Sequence, residues 1–387
     1  GVGLPGFTQP FANPFVNMPL PSAFPTAATI PSPLGPLSFV GVPIAGVFVD
    51  PKIKTPMVHQ FNFGGQWEVG KNYVIDIGYV GNRGRKLLQM VTLNQPFYVA
   101  ATNSFATRWP TSAISANKNA TGGVQQIQTS GKSSYDSLQA SVSRRFSSGL
   151  QFLAAFTRGI SYDYYSGTGT NELQNVSGDQ FNYTTNWGRS DFNRENRFVL
   201  SGVYALPNKK YDNGFARGLL NNWQIAGVTV FQSGLPFSIV SENGAQTVQR
   251  ANYNRAYSGA ILTSGPLSSR INGYFNTAAF VSSCPTATCG AGTGTVTNVN
   301  FDPSNPFGNT QRNFLTGPGQ RNVDISFIKM IPISERFRGE FRTELFNAFN
   351  WVNYANPNNN VVGANFGKID RAATGPRVIQ LAFKLSF

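Results

Sequence analysis

The sequence predicts an all-β protein of antiparallel strands, each with one apolar and one polar face. Three observations carry this. Aromatic residues make up 13% of the 387 residues and charged residues 12%, against about 25% charged in ordinary soluble domains. Apolar and polar residues alternate with period two in stretch after stretch. The connections between those stretches are alternately short and long.

Residues 1–56 are rich in Pro and Gly without sustained periodicity and read as an irregular segment. Order begins after Pro56. Phe61, Phe63, Trp67 and Val69 alternate with Asn62, Gly64, Gln66 and Glu68, and beyond a turn at 70–72 the alternation resumes with Tyr73, Ile75, Ile77 and Tyr79. The unit returns at Leu138, Ala140, Val142 and Phe146, turns at 147–149, and runs back through Leu150, Phe152, Ala154 and Phe156. Two less regular strands follow at 195–206 and 222–235, where Val199, Val203, Val228 and Val230 fall on the face that should be polar. Val323, Ile325 and Phe327 open the next hairpin. Its return strand sets Phe337, Phe341 and Leu345 against Arg338, Glu340, Arg342 and Glu344. The last strand places Ile379, Leu381, Phe383, Leu385 and Phe387 on one face, with Gln380, Lys384 and Ser386 on the other.

A soluble β-sandwich also alternates, so the connections decide. Those at 70–72, 147–149, 207–221 and 331–336 are short or moderate; those at 85–133, 161–194, 236–320 and 350–375 are long, and the two kinds alternate strictly. Transmembrane barrels have short periplasmic turns and long outer loops. No apolar run reaches the 18 or so residues of a membrane helix, so a membrane location means a barrel. Four charges on one strand face also need water, or each other, rather than a sandwich core. Counting back from a periplasmic C-terminus gives nine strands and puts 1–56 on the extracellular side. Single-chain bacterial barrels have even strand numbers, so the expectation is that strands precede these. The sequence starts at Gly1 without a charged segment leading into an apolar one. A signal peptide is therefore expected to have been removed, or to lie upstream.

The net charge of +14 carries no Lys/Arg-rich run and no nucleic-acid recognition pattern; attraction to anionic lipid headgroups accounts for it equally well. Nucleic acid is not an expected partner. Cys284 and Cys289 are five positions apart with no His or acidic residue between them. They read as a small loop disulfide in an oxidising compartment, with two unrelated loop thiols as the alternative.

The ending Val378-Ile379-Gln380-Leu381-Ala382-Phe383-Lys384-Leu385-Ser386-Phe387 resembles the C-terminal signal by which outer-membrane barrels are recognised for assembly, with Phe383, Leu385 and Phe387 as its apolar positions. Phe341-Arg342-Thr343-Glu344-Leu345-Phe346-Asn347-Ala348-Phe349-Asn350 resembles the penultimate-strand motif of TonB-dependent receptors. Residues 196–202, 223–227, 233–237 and 317–324 are similar to stretches of the Oar-like branch of that family, in which a carboxypeptidase-regulatory-like domain and a plug precede the barrel. The resemblance covers nearly all of 57–387. It implies the C-terminal portion of a barrel of about 22 strands, located in the outer membrane. The partners it implies are outer-membrane lipid and lipopolysaccharide, the barrel-assembly machinery, TonB through upstream regions, and an extracellular substrate.

Among candidate sites, Arg338, Glu340, Arg342 and Glu344 are expected to line the lumen, as a contact for a plug or solute or, preferably, as a self-neutralising ladder. Trp67, Tyr73, Tyr79, Trp223 and Phe383 suit an interfacial aromatic girdle. Tyr162, Tyr164, Tyr165, Tyr183 and Trp187 lie in or beside an Asn/Gly/Ser-rich stretch and are candidates for substrate contact, or are packing residues. His59 is the only histidine and no G-x-S-x-G motif accompanies it. No enzyme activity, metal site or cofactor is expected. A TonB-dependent transporter is the leading reading; a porin-like or structural barrel and a secreted β-rich binding or adhesin protein are the alternatives.

Overall fold

A computed structural model describes residues 46–93, 95–106, 124–167, 178–241, 249–284, 301–334 and 336–386. Through them run nine long strands: β1 (Met57–Val69), β2 (Tyr73–Thr92), β3 (Val124–Ser147), β4 (Leu150–Asp163), β5 (Asn196–Ala205), β6 (Trp223–Gln232), β7 (Gln320–Pro332), β8 (Arg338–Phe346) and β9 (Val378–Ser386). Each pairs antiparallel with its sequence neighbours, giving an up-and-down sheet in the order β1 to β9. Among the described residues, β1 pairs only with β2 and β9 only with β8, so the sheet has an edge on either side.

The connections at one end are tight. The β3–β4 turn has Ser148 at φ 49° and Gly149 at φ 81°, the left-handed pair that lets a two-residue hairpin follow strand twist. A Cβ on Gly149 would stand 2.6 Å from the Ala205 carbonyl oxygen. Between β5 and β6 lies a short helix, α1 (Gly214–Leu220), whose start is capped by the Asn213 side chain accepting from the Phe215 N–H at 2.9 Å.

Two sequence expectations are corrected at the other end. The segment 1–56 is not wholly irregular: Gly46–Val49 forms a strand that pairs parallel with Val124–Ile127. Its Val, Phe and Val favour extended backbone, which the surrounding Pro and Gly hid. The loop expected at 85–133 narrows to 93–123, because β2 and β3 continue past the membrane-length alternation. Register shifts around Leu87, with Lys86 at φ 53°, break the period and then let pairing resume. On β3 that extension is mostly Gln, Ser and Thr, with Ile127, Gly131 and Lys132 among them, which gives no apolar alternation to read.

The register divides the strands into two faces. On one face β1 carries Phe61, Phe63, Trp67 and Val69; paired with them are Tyr73, Ile75, Ile77 and Tyr79 of β2 and Leu138, Ala140 and Val142 of β3. The same face continues through Phe152 and Phe156, Phe198 and Leu200, Ile225 and Phe231, Val323 to Phe327, Phe341 and Leu345, and Ile379 to Leu385. It is exposed, Phe63 to 84% and Leu381 to 65%. On β1 this face is uncharged from Phe61 to Val69, nine residues that stand roughly 20 Å tall at about 3.3 Å per residue and 40° tilt, close to the ~25 Å apolar band of a membrane barrel. His59, Arg83, Arg85, Asp136 and Arg158 bound it on the long-loop side, and Arg144 and Lys329 on the short-turn side.

Candidate functional site

The buried core lies outside this wall. Phe237, Ile239, Ala251, Tyr274, Phe275, Ala279, Phe280, Leu315 and Ile369 form one cluster, drawn from the connections after β6 and β8. Phe275 sits at its centre, its ring 6.0 Å from Phe237, 5.8 Å from Phe280 and 5.1 Å from Phe366. Short strand pairs frame it: Pro236–Phe237 with Leu315–Thr316, and Asn252–Tyr253 with Phe280–Val281. The loops expected at 236–320 and 350–375 therefore fold together into one unit. Gly308, at φ 97°, is needed there because a Cβ would meet the Arg250 carbonyl oxygen at 1.9 Å.

Buried polar contacts tie this unit to the other connections. Arg312 donates to the Asp163 carboxylate at 2.5 Å, to the Asp163 carbonyl at 2.9 Å, to Ser166 Oγ at 2.9 Å and to Asp191 at 2.9 Å. Asn313 and Arg189 exchange bonds, Arg189 Nε to the Asn313 carbonyl at 2.8 Å and Asn313 Nδ2 to the Arg189 carbonyl at 2.7 Å. Gln95 Nε2 donates to the Gly178 carbonyl, and the Thr92 N–H to Gln180 Oε1. The four long connections thus form one cap at the open ends of the strands. Arg250 is buried in it, hydrogen-bonded to Asn186 and, at 3.3 Å, to Thr185 Oγ1. Burial, with the like charge of Arg312 adding and Asp179 opposing, brings its pKa down to about 10. Periodicity could not reveal these anchors, since their backbone follows no regular repeat.

The loop aromatics gather. Tyr162 stacks on Trp187 at 5.9 Å, Trp187 meets Tyr164 edge-on at 5.2 Å, and Tyr164 meets Tyr183 at 5.6 Å, with Lys132 Nζ 5.0 Å from the Trp187 ring. Tyr165 is half-buried next to them in sequence. Register puts Tyr162 on the face of Phe156 and Ile160, so the group begins on the apolar side of the wall.

Trp67, Tyr73, Tyr79, Trp223 and Phe383 all lie on the apolar face. Four cluster toward the short turns, where Arg144 lies over the Tyr73 ring and Lys329 over Trp223. Tyr79 stands farther from them and donates to Asp136, which also pairs with Arg83. Leu385 shares the face of Phe383; Phe387 lies outside the described residues. Cys284 is disulfide-bonded, and Cys289 lies outside the described residues.

The opposite face is polar for most of its extent. Arg338, Glu340, Arg342 and Glu344 share it with Ser326, Gln380 and Lys384. Arg342 is ion-paired with Glu340, and Glu340 stands opposite Lys384. The valines that broke the alternation are the exception. Val199 pairs with Val230, Ser201 with Val228 and Val203 with Ala226, and Leu153 and Ala155 lie alongside on β4. Leu153, Val203, Ala226, Val228 and Phe346 help line a hollow of about 780 Å³ whose other walls include Gln151, Asp324 and Ser326.

A wide antiparallel sheet with an uncharged apolar face of membrane height and a mostly polar opposite face is the wall of a transmembrane β-barrel. A family model described as an outer membrane beta barrel domain matches residues 4–380, and the chain belongs to that family. It is a protein of the bacterial outer membrane, its apolar face toward lipid and its polar face toward the lumen. Similar solved structures include the outer membrane transporter YddB from Escherichia coli, at 11% identity and TM-score 0.48, covering 89% of this chain and 34% of that one. Another is the FrpB iron transporter from Neisseria meningitidis (F3-3 variant), at 10% identity and TM-score 0.38, covering 88% and 33%. The chain spans about a third of the length of either. No curated protein matches.

Proposed function

We propose that the chain forms part of a TonB-dependent outer-membrane transporter, in which a plug occupies the lumen and the folded cap selects an extracellular substrate. The observation that carries this is the apolar lumen patch of Leu153, Ala155, Val199, Val203, Val228 and Val230. A water-filled pore leaves such a patch wet, whereas packing against a lumen segment removes it from water. The two sheet edges support a larger ring, since unpaired strand edges are not tolerated in lipid. On this reading the role is binding and passage, not catalysis, and the further strands and plug lie in other parts of the protein.

Planar-bilayer recording of the full-length protein tests it. A plugged transporter gives no steady open-pore current until its lumen segment is removed. A large, stable conductance from the intact protein would favour the porin-like alternative.

A further inference from the structure

At the long-loop end of the apolar wall lies a trough of about 400 Å³ lined by Phe156, Phe198, Phe231, Asn196 and Arg321. Phe198 and Phe231 stack at 6.4 Å, and Trp351 extends the apolar surface 6.2 Å from Phe231. Arg321 lines it, and two more arginines lie toward the same end of the wall. Arg321 pairs across the sheet with Phe231 and lies 4.5 Å over the Trp351 ring. Arg158, on the same face of β4, donates to Asn196 at 3.3 Å. Arg377, directly before β9, donates to the Ala348 carbonyl at 3.3 Å. All three side chains are exposed, and none belongs to an ion pair among the described residues.

A cation on the lipid side of the wall, beside an apolar trough and without a carboxylate, fits an anionic headgroup whose acyl chain lies along the rings. Arg158 and Arg321 are on β4 and β7, three strand spacings apart, or about 14 Å at ~4.8 Å each. With Arg158 held on Asn196 and Arg321 over the Trp351 ring, the two guanidiniums are directed to different neighbours, and one phosphate does not serve both. We infer that the trough binds a multiply phosphorylated glycolipid of the outer leaflet, of the lipopolysaccharide type, with separated phosphates on Arg158, Arg321 and Arg377 and an acyl chain on Phe156, Phe198 and Phe231. This rests on the membrane orientation of the wall and is independent of transport.

The test is native mass spectrometry of the full-length protein in detergent with three added lipids: lipid A bearing two phosphates, its dephosphorylated form, and phosphatidylglycerol. The wild type should retain the bisphosphorylated lipid at least about tenfold better than either of the others. The variant R158Q/R321Q/R377Q should lose that preference. K71Q/K209Q/K210Q, which removes the same charge at the short-turn end, should keep it. Equal retention of phosphorylated and dephosphorylated lipid A by the wild type overturns the proposal without recourse to any variant. Equal loss in both variants overturns it as well, because it would reduce the effect to net charge. Bilayer conductance is unaffected by either result, so the transport reading stands or falls separately.

Discussion

Arg312 and Asp163 are 149 residues apart in sequence, yet the guanidinium lies 2.5 Å from the carboxylate, with both side chains 6% exposed. Asp163 ends a wall strand and Arg312 belongs to the cap, so the pair is where the cap is fastened to the wall. Removing one partner of a buried ion pair costs about 3–5 kcal/mol where the other charge is left uncompensated; Asp191, 2.9 Å from Arg312, keeps part of the compensation and holds the loss below that. Asp163→Asn should therefore loosen the cap without opening the wall. Hydrogen exchange should quicken in 233–319 while the strand amides of β4–β7 stay protected; unchanged exchange in the cap would contradict this.

Gly308→Ala tests the same cap from within. The left-handed backbone and the Arg250 carbonyl leave no room for a methyl group, and strain of this kind costs about 1–3 kcal/mol. Limited proteolysis should cut the cap faster in this variant, and a variant as resistant as wild type would count against the packing described.

Asp302 supplies a pH dependence. Burial disfavours its charged form, but donation from the Asn305 side chain, the Ser304 N–H and the Asn309 side chain, with Arg255 nearby, outweighs that and holds its pKa below the usual 3.8. A depressed folded pKa means the stabilisation is present above the unfolded value and is lost as pH falls through the folded one. The 302–309 turn should stay intact at pH 5 and loosen below pH 4, followed by exchange or NMR of the Ser304 amide. A turn insensitive to pH down to 2 would contradict it.

Facing is tested on β9. Leu381 points to lipid and Gln380 to the lumen opposite Glu344. Leu381→Arg should destabilise the membrane-inserted protein by about 2–4 kcal/mol, whereas Gln380→Arg, gaining Glu344 across the strand pair, should be near neutral. Urea unfolding in lipid vesicles measures both, and equal costs would mean the two faces are misassigned.

The wall was legible because the membrane imposes a two-residue period. Phe61 to Val69 and Ile379 to Leu385 alternate since every second side chain meets lipid. The valines at 199, 203, 228 and 230 blurred the pattern because their lumen face is locally apolar. Beyond the membrane the period ends. The continuation of β2 past Leu87, the strand at Gly46–Val49 and the core around Phe275 depend on partners distant in sequence. Tyr162, Tyr164, Tyr183 and Trp187 read from sequence only as contact or packing candidates, and alternation alone could not show that they meet one another or that Tyr162 starts the group on the apolar face.

Whether these nine strands are part of a larger closed ring is read from heat-modifiability. A closed barrel resists detergent and migrates faster unboiled on a denaturing gel. A shift is expected for the full-length protein extracted from membranes and none for residues 1–387 expressed alone. A shift by the 387 residues alone would contradict it, showing that they close without further strands.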